Sequence, residues 1–259
     1  MRTIVCIKQV PETNEVKINS ESNSLIREKG NMTINPVDMY ALEEAIRLSG
    51  ETCGSSTAVS MGIPEVSELL RNAIGLGIDE AVLLSDRAFA GADTLATAYA
   101  LSMGIKKLGD YDLIICGRNS TDGDTGQVGP SLAEKLGIPH ITCVNRIIET
   151  GTDYIRCSRL SENGHEIVEM SLPGLITVVK GINEPRLPSL TRMMKARRAD
   201  IPILTAGDIN ADINLCGFTG SPTKVVSTNV PVKETSIEMF SGSEEEQAQM
   251  LIEKLNRLL

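Results

Sequence analysis

Strand-length apolar runs that each hand over to a stretch of helical spacing restrict this chain more than any other feature. Ile4 to Val10 reads as a first strand, and Ser56–Met61, Glu80–Leu84 and Asp112–Cys116 follow as further strands. Between them, Val37, Ala41, Ala45 and Leu48 recur at the spacing that builds one apolar helix face. That helix has a clear start: Asn35 as cap, Pro36 in the first turn with its fixed φ, and Asp38 where a negative charge is favoured. It should stop near Gly50. A second helix is expected from Glu65 to Ile74, ending at Gly75, and a third opens at Asp93-Thr94 and stops at Gly109. Strands alternating with helices require a parallel sheet with right-handed crossovers, so the expected class is a doubly wound, mainly parallel α/β fold.

In such a sheet, ligands bind at the carboxyl ends of the strands. The stretch that best suits this is Gly117 to Pro130, Gly-Arg-Asn-Ser-Thr-Asp-Gly-Asp-Thr-Gly-Gln-Val-Gly-Pro, between the strand ending at Cys116 and a helical pattern over Ser131–Leu136. Its glycines uncover backbone amides, and the next helix adds free N–H groups and a partial positive charge, which together suit a phosphate. A tight turn without a ligand explains the same glycines. The Walker ending and the Gly-x-Gly-x-x-Gly spacing are both absent. Asp122 and Asp124 would repel a bare phosphate, so their expected work is to accept from amides, cap the next helix or hold ribose hydroxyls.

Composition excludes several classes. A formal charge of −9 offers no broad basic field for nucleic acid. Six cysteines, at 6, 53, 116, 143, 157 and 216, contain no Cys-x-x-Cys pair, and with two histidines neither a metal site nor a histidine triad is expected. His165 follows Asn163-Gly164, a hairpin pair, and is expected at the surface. No apolar run reaches membrane length, and the strand pattern beginning at Arg2 leaves no room for a leader, so a cytoplasmic protein is expected.

Elsewhere the pattern differs. Asn14 to Lys29 alternates at Val16, Ile18, Leu25 and Ile26 as a hairpin would. Tyr154–Leu160 and Glu166–Met170 flank the Asn-Gly turn as antiparallel strands, and Leu175–Lys180 is one more buried strand. Asn183–Pro188 is held extended by its prolines, and Leu190–Arg198 is a basic helical segment. Residues 206–240 promise little core, and a final amphipathic helix, Glu244–Leu259, carries Met250, Leu251, Leu255 and Leu258 on one stripe. The expected division is 1–185 as a nucleotide- or flavin-binding domain, 186–205 as a partner-recognition segment and 206–259 as an arm reaching a partner.

Four places in order, Val5-Cys-Ile-Lys8, Asn35-Pro36, Asp122-Gly-Asp-Thr-Gly-Gln-Val-Gly129 and Asn183–Leu190 with Met194–Arg198, resemble the β subunit of electron-transfer flavoproteins. The resemblance spans almost the whole chain and implies a sheet like that of the adenine-nucleotide α-hydrolases. It implies an α subunit with a redox FAD, and in this chain either AMP or a second FAD. Cys6, Ile7, Asn35, Val37 and Met61 would line the adenosine, and Gly126, Gln127, Val128 and Gly129 would present amides to phosphate. Asp93 and Thr94 would touch FAD, and Gly117, Asp122 and Thr125 complete the implied cofactor set. No catalytic side chain is implied.

AMP-holding members often carry Asn-Gln-Thr at the positions of Gly126-Gln-Val128, whereas the run here looks like the electron-bifurcating branch. That branch more often has Ala at Gly126, so this chain departs by one methyl. The resemblance then implies FAD in this subunit, NADH as hydride donor, ferredoxin as one acceptor, and an acyl-CoA or hydroxy-acid dehydrogenase reached through the α subunit. Leu190 would be an apolar anchor and Lys195, Arg197 and Arg198 would steer an acidic partner. The competing expectations are an AMP-holding shuttle and an ATP-binding signalling module.

Overall fold

The computed structural model describes residues 1–12, 17–18, 25–26, 32–224, 226 and 237–257. In chain order the strands are β1 (Arg2–Cys6), β2 (Gln9–Pro11), β3 (Lys17–Ile18), β4 (Leu25–Ile26), β5 (Met32–Ile34), β6 (Ser55–Met61), β7 (Glu80–Leu84), β8 (Leu113–Gly117), β9 (His140–Thr150), β10 (Tyr154–Ser161), β11 (Gly164–Ser171), β12 (Gly174–Val178) and β13 (Ile203–Leu204). The helices are α1 (Pro36–Glu51), α2 (Ser67–Leu76), α3 (Thr94–Leu108), α4 (Val128–Leu136), α5 (Leu190–Ala196), α6 (Gly217–Gly220) and α7 (Glu244–Asn256).

Nine strands form one sheet in the order β11-β10-β9-β12-β8-β1-β6-β7-β13. From β9 to β13 every neighbouring pair is parallel, while β9, β10 and β11 are antiparallel. The sheet is doubly wound. One apolar layer places Ala41, Leu42, Ala45 and Leu48 of α1 and Leu70 and Ala73 of α2 against Val5, Ala58 and Ile115. The other places Ala98, Leu101 and Ile105 of α3 and Leu132 of α4 against Ile4, Val59 and Ile114. Aliphatic side chains interleave on both faces, which suits strands that must be apolar throughout.

The chain leaves β1, adds β6 and β7 on one side, and then returns to add β8 on the other. The strand order therefore reverses between β1 and β8, and the crevice above Cys6 and Cys116 is the switch point of the sheet.

Several expectations shift. The first strand stops at Cys6: the Ile7 amide still bonds to Val59, but the Lys8 amide turns to Asp38. α2 ends at Leu76 rather than at Gly75, and Gly77 makes its cap. α4 begins at Val128, so three residues assigned to the loop belong to the helix. Residues 140–150 form a long strand that no pattern announced, because Cys143 has a positive φ and the pairing with β10 slips twice. Part of 206–240 does carry core: Ala206, Ile209 and Cys216 are buried on the α3 face of the sheet.

The hairpin near 14–29 is present as β3 pairing antiparallel with β4, although Val16 lies outside the described residues. Two compact units divide the chain, Met1–Lys224 and Val225–Leu259. Within the second, Ser243 and Glu246 form a capping box at the start of α7, and Met250, Leu251 and Leu255 are exposed. Leu258 lies outside the described residues. No helix among the described residues is long and apolar enough to cross a membrane.

Candidate functional site

The floor of the crevice is made by Cys6 and Cys116, paired across β1 and β8 and both buried. Its wall is the first turn of α1. Asn35 stands at the cap position, yet its side chain makes no cap bond. Instead the amide nitrogen donates to the Asn119 carbonyl at 2.8 Å, and the side-chain oxygen accepts from the Thr121 amide at 3.2 Å. The residue is buried, so these bonds are shielded and hold the 117–130 loop against α1.

Asp38, one turn on, is the residue that sequence reasoning undervalued. It accepts from the Lys8 amide at 2.8 Å and lies so close to Gly117 that a side chain there would run into its carboxylate. It thus joins the ends of β1 and β8 to α1. Burial pushes its carboxyl up to about 7, against hydrogen bonds from Lys8, Asn35 and Gly117 that favour the charged form. A signal existed: carried back one turn, the stripe of Ala41, Ala45 and Leu48 lands on Asp38.

Neither loop aspartate caps α4, contrary to one of the roles expected for them. Asp122 pairs with the Lys8 ammonium at 2.7 Å. Partial burial works against its ionisation, but bonds from Lys8 and Ser120 hold its carboxyl below the usual range. The Asp124 carboxylate accepts from the Asn119 side chain, and its amide bonds to Ser120 at 2.8 Å. Asp122 is thus paired with a cation from the end of β1 and Asp124 is turned onto Asn119, which weakens the objection they raised to a bound anion.

What the loop leaves open is backbone. Among the described residues, the amides of Thr125, Gly126, Gln127, Val128 and Gly129 have no partner in the protein, and Pro130 brings none. The first helical bond runs from Ser131 to Gln127. Gly126 has φ +65, a left-handed conformation, and a Cβ added there would lie 3.5 Å from the Arg118 carbonyl oxygen, an ordinary contact. Its service is conformational, and this replaces the view of Gly126 as merely a missing methyl. Free amides at a helix start, with the nearby acids satisfied, fit a phosphate or pyrophosphate.

Cys6, Ile7, Asn35, Val37, Gly117, Asp122, Thr125, Gly126, Gln127, Val128 and Gly129 all belong to this end of β1, β8, α1 and α4. Met61 ends β6, beside β1 in the sheet. Asp93 and Thr94 do not join the loop. One Asp93 oxygen caps α3 through the amides of Leu95 and Ala96, and the other accepts from the Thr223 amide and hydroxyl. Asp93 closes α3 onto residues 221–223. Leu190, Lys195, Arg197 and Arg198 form a separate surface on and beside α5, where Leu190 is 82% exposed. His165 is exposed and pairs with Asn145.

A doubly wound sheet with free backbone amides at its switch point defines an α/β protein of the class that binds ligands at the carboxyl ends of its strands. The electron transfer flavoprotein domain matches residues 23–209, and this chain belongs to the electron transfer flavoprotein family. It is 48% identical to the electron transfer flavoprotein subunit beta of Thermoanaerobacterium thermosaccharolyticum, over 99% of this chain and 98% of that one. It is 43% identical to the caffeyl-CoA reductase-Etf complex subunit CarD of Acetobacterium woodii, over 98% of each. Protein FixA of Bradyrhizobium diazoefficiens is 39% identical over 98% of this chain and 91% of its own. The chain is a β subunit that serves electron transfer, and the signalling alternative falls away.

Proposed function

We propose that this β subunit holds FAD on the 117–130 loop and works in electron bifurcation beside an α subunit. The observation that carries this reading is the row of unpartnered amides from Thr125 to Gly129, with Asp122 neutralised by Lys8. Asn35 and Asp38 keep that row in place, and Lys8 keeps the adjoining acid from repelling the pyrophosphate. When bound, FAD would supply the chemistry, taking a hydride from NADH, releasing its proton and passing the two electrons on singly, one toward the α-subunit FAD and a dehydrogenase and one to ferredoxin. The protein contributes binding, orientation and a floor formed by the Cys6 and Cys116 side chains. Its hydrogen bond to Cys6, together with burial, pushes the Cys116 thiol well above its ordinary range.

The likeness to a subunit of a caffeyl-CoA reductase complex supports an acyl-CoA dehydrogenase, or a hydroxy-acid dehydrogenase, as the high-potential partner. Docking belongs to Leu190 and the surrounding cations Lys195, Arg197 and Arg198. The deciding experiment is the nucleotide content of the purified heterodimer after incubation with FAD. Two FAD per dimer is the expected result. One FAD with one AMP would replace bifurcation by the shuttle reading.

A further inference from the structure

The helix that holds the nucleotide loop also grips the chain segment on the way to α5. Asn183 donates to the Tyr40 carbonyl and to Glu44, each at 3.0 Å. Arg186 then meets Glu43 in a fork, with bonds of 2.8 and 2.7 Å from its guanidinium and a third, of 3.1 Å, from its own backbone amide. Two side-chain donors and one amide from a single residue fix both direction and twist of the segment. At the far end, Ser189 caps α5 by accepting from the Arg192 amide, Arg192 bonds to the Leu76 carbonyl at 3.2 Å, and Met193 and Ala196 lie against Gly75 of α2.

Between these two fastenings, and on the outer side of α5, apolar side chains are left exposed. Leu187 is 90% exposed, and Leu190 and Met194 stand out beside it. Exposed apolar side chains on a tightly fixed backbone are what a docking surface needs. A segment already ordered loses little conformational freedom when a partner arrives. Glu43 itself is mostly covered, and the guanidinium of Arg186 holds its carboxyl below the usual range, so the fork stays charged at neutral pH.

We propose that Glu43 is a positioning residue for partner docking, clamping Arg186 so that Leu187, Leu190 and Met194 are presented as a preformed ridge. This rests on the reading of residues 186–198 as the docking segment, and adds that α1 sets its geometry. A looser segment would still carry the same side chains and would bind the same partner more weakly.

The test uses the whole heterodimer and the dehydrogenase that accepts electrons from the wild-type protein. In Glu43→Gln, amide hydrogen exchange over 183–190 should rise at least tenfold. The KM for the dehydrogenase should rise about five- to tenfold, with kcat and flavin content unchanged. The exchanged pair Glu43→Arg with Arg186→Glu should recover most of both effects, which a merely misfolded variant would not. Glu51→Gln, further along α1, should change neither. Unaltered exchange or unaltered KM in Glu43→Gln overturns the clamp. A Leu190→Ala variant run in parallel separates the two readings: if it leaves KM unchanged, the docking segment itself is wrongly assigned; if KM rises there but not in Glu43→Gln, only the clamp fails.

Discussion

Two polar stretches lean on α1, and they leave opposite things unfinished. The 117–130 loop is fastened through Asn35 and Asp38 and leaves backbone N–H groups without protein partners. The 183–198 stretch is fastened through Glu43 and Glu44 and leaves apolar side chains in water. Unmet donors call for a small anion, whereas unmet apolar area calls for another protein. On the proposed reading, one helix anchors both the stretch that would hold a cofactor and the stretch that would meet a partner.

The largest effect expected from separating the two concerns Asp38. Its carboxyl is raised to about 7, so the folded protein keeps a proton that the unfolded chain gives up near 4. Its contribution to stability is therefore full below the unfolded value and is lost as pH rises through about 7. The shift corresponds to up to about 4 kcal/mol. Asp38→Asn removes this titration, so melting curves of wild type and variant should diverge between about pH 4 and pH 7, with wild type losing ground as pH rises. Parallel curves would show that Asp38 is not the group responsible. Over the same range, amide protection factors at 183–198 should change far less, because Arg186 holds the Glu43 carboxyl below its usual range.

Asn35→Ala comes next. Two shielded hydrogen bonds are lost, about 2–3 kcal/mol together, and FAD affinity should fall roughly 30- to 100-fold. Calorimetric titration of the flavin-depleted heterodimer measures this. Dehydrogenase docking should be untouched, and a matching loss there would mean that the two stretches are not independent. Smallest is Gly126→Ala, which places a Cβ on a left-handed backbone at a cost of about 1 kcal/mol, or about fivefold in the same titration. An unchanged affinity would mean that the loop readily takes another conformation.

Much of this architecture is legible in the amino-acid order alone. Helix spacing and apolar strand runs carry their own period, so the doubly wound sheet and the location of the loop follow from Ile4 to Leu136. The features that stay hidden depend on contacts between distant residues. Asp38 reads as an ordinary first-turn acid, because nothing local reveals that Gly117 and Lys8 will enclose it. β9 is concealed by a bulge that breaks its alternation at Cys143. Residues 206–224 look like linker because their burial uses the small residues Ala206, Cys216 and Ser221, of which Ala206 bonds to Asp86 and Ser221 to Asp93 far earlier in the chain. The helical identity of Val128 to Pro130 is masked by two residues that usually mark turns.

The placing of both fastenings in the first turns of α1 has an evolutionary consequence. Along an α-helix each added residue rotates the remainder of the helix by about 100° and advances it by about 1.5 Å. One residue inserted between Asp38 and Glu43 would swing the clamp for Arg186 to another side of the helix while the cofactor loop stayed where it is. An insertion or deletion between the two grips is therefore the evolutionary change that would turn one surface relative to the other.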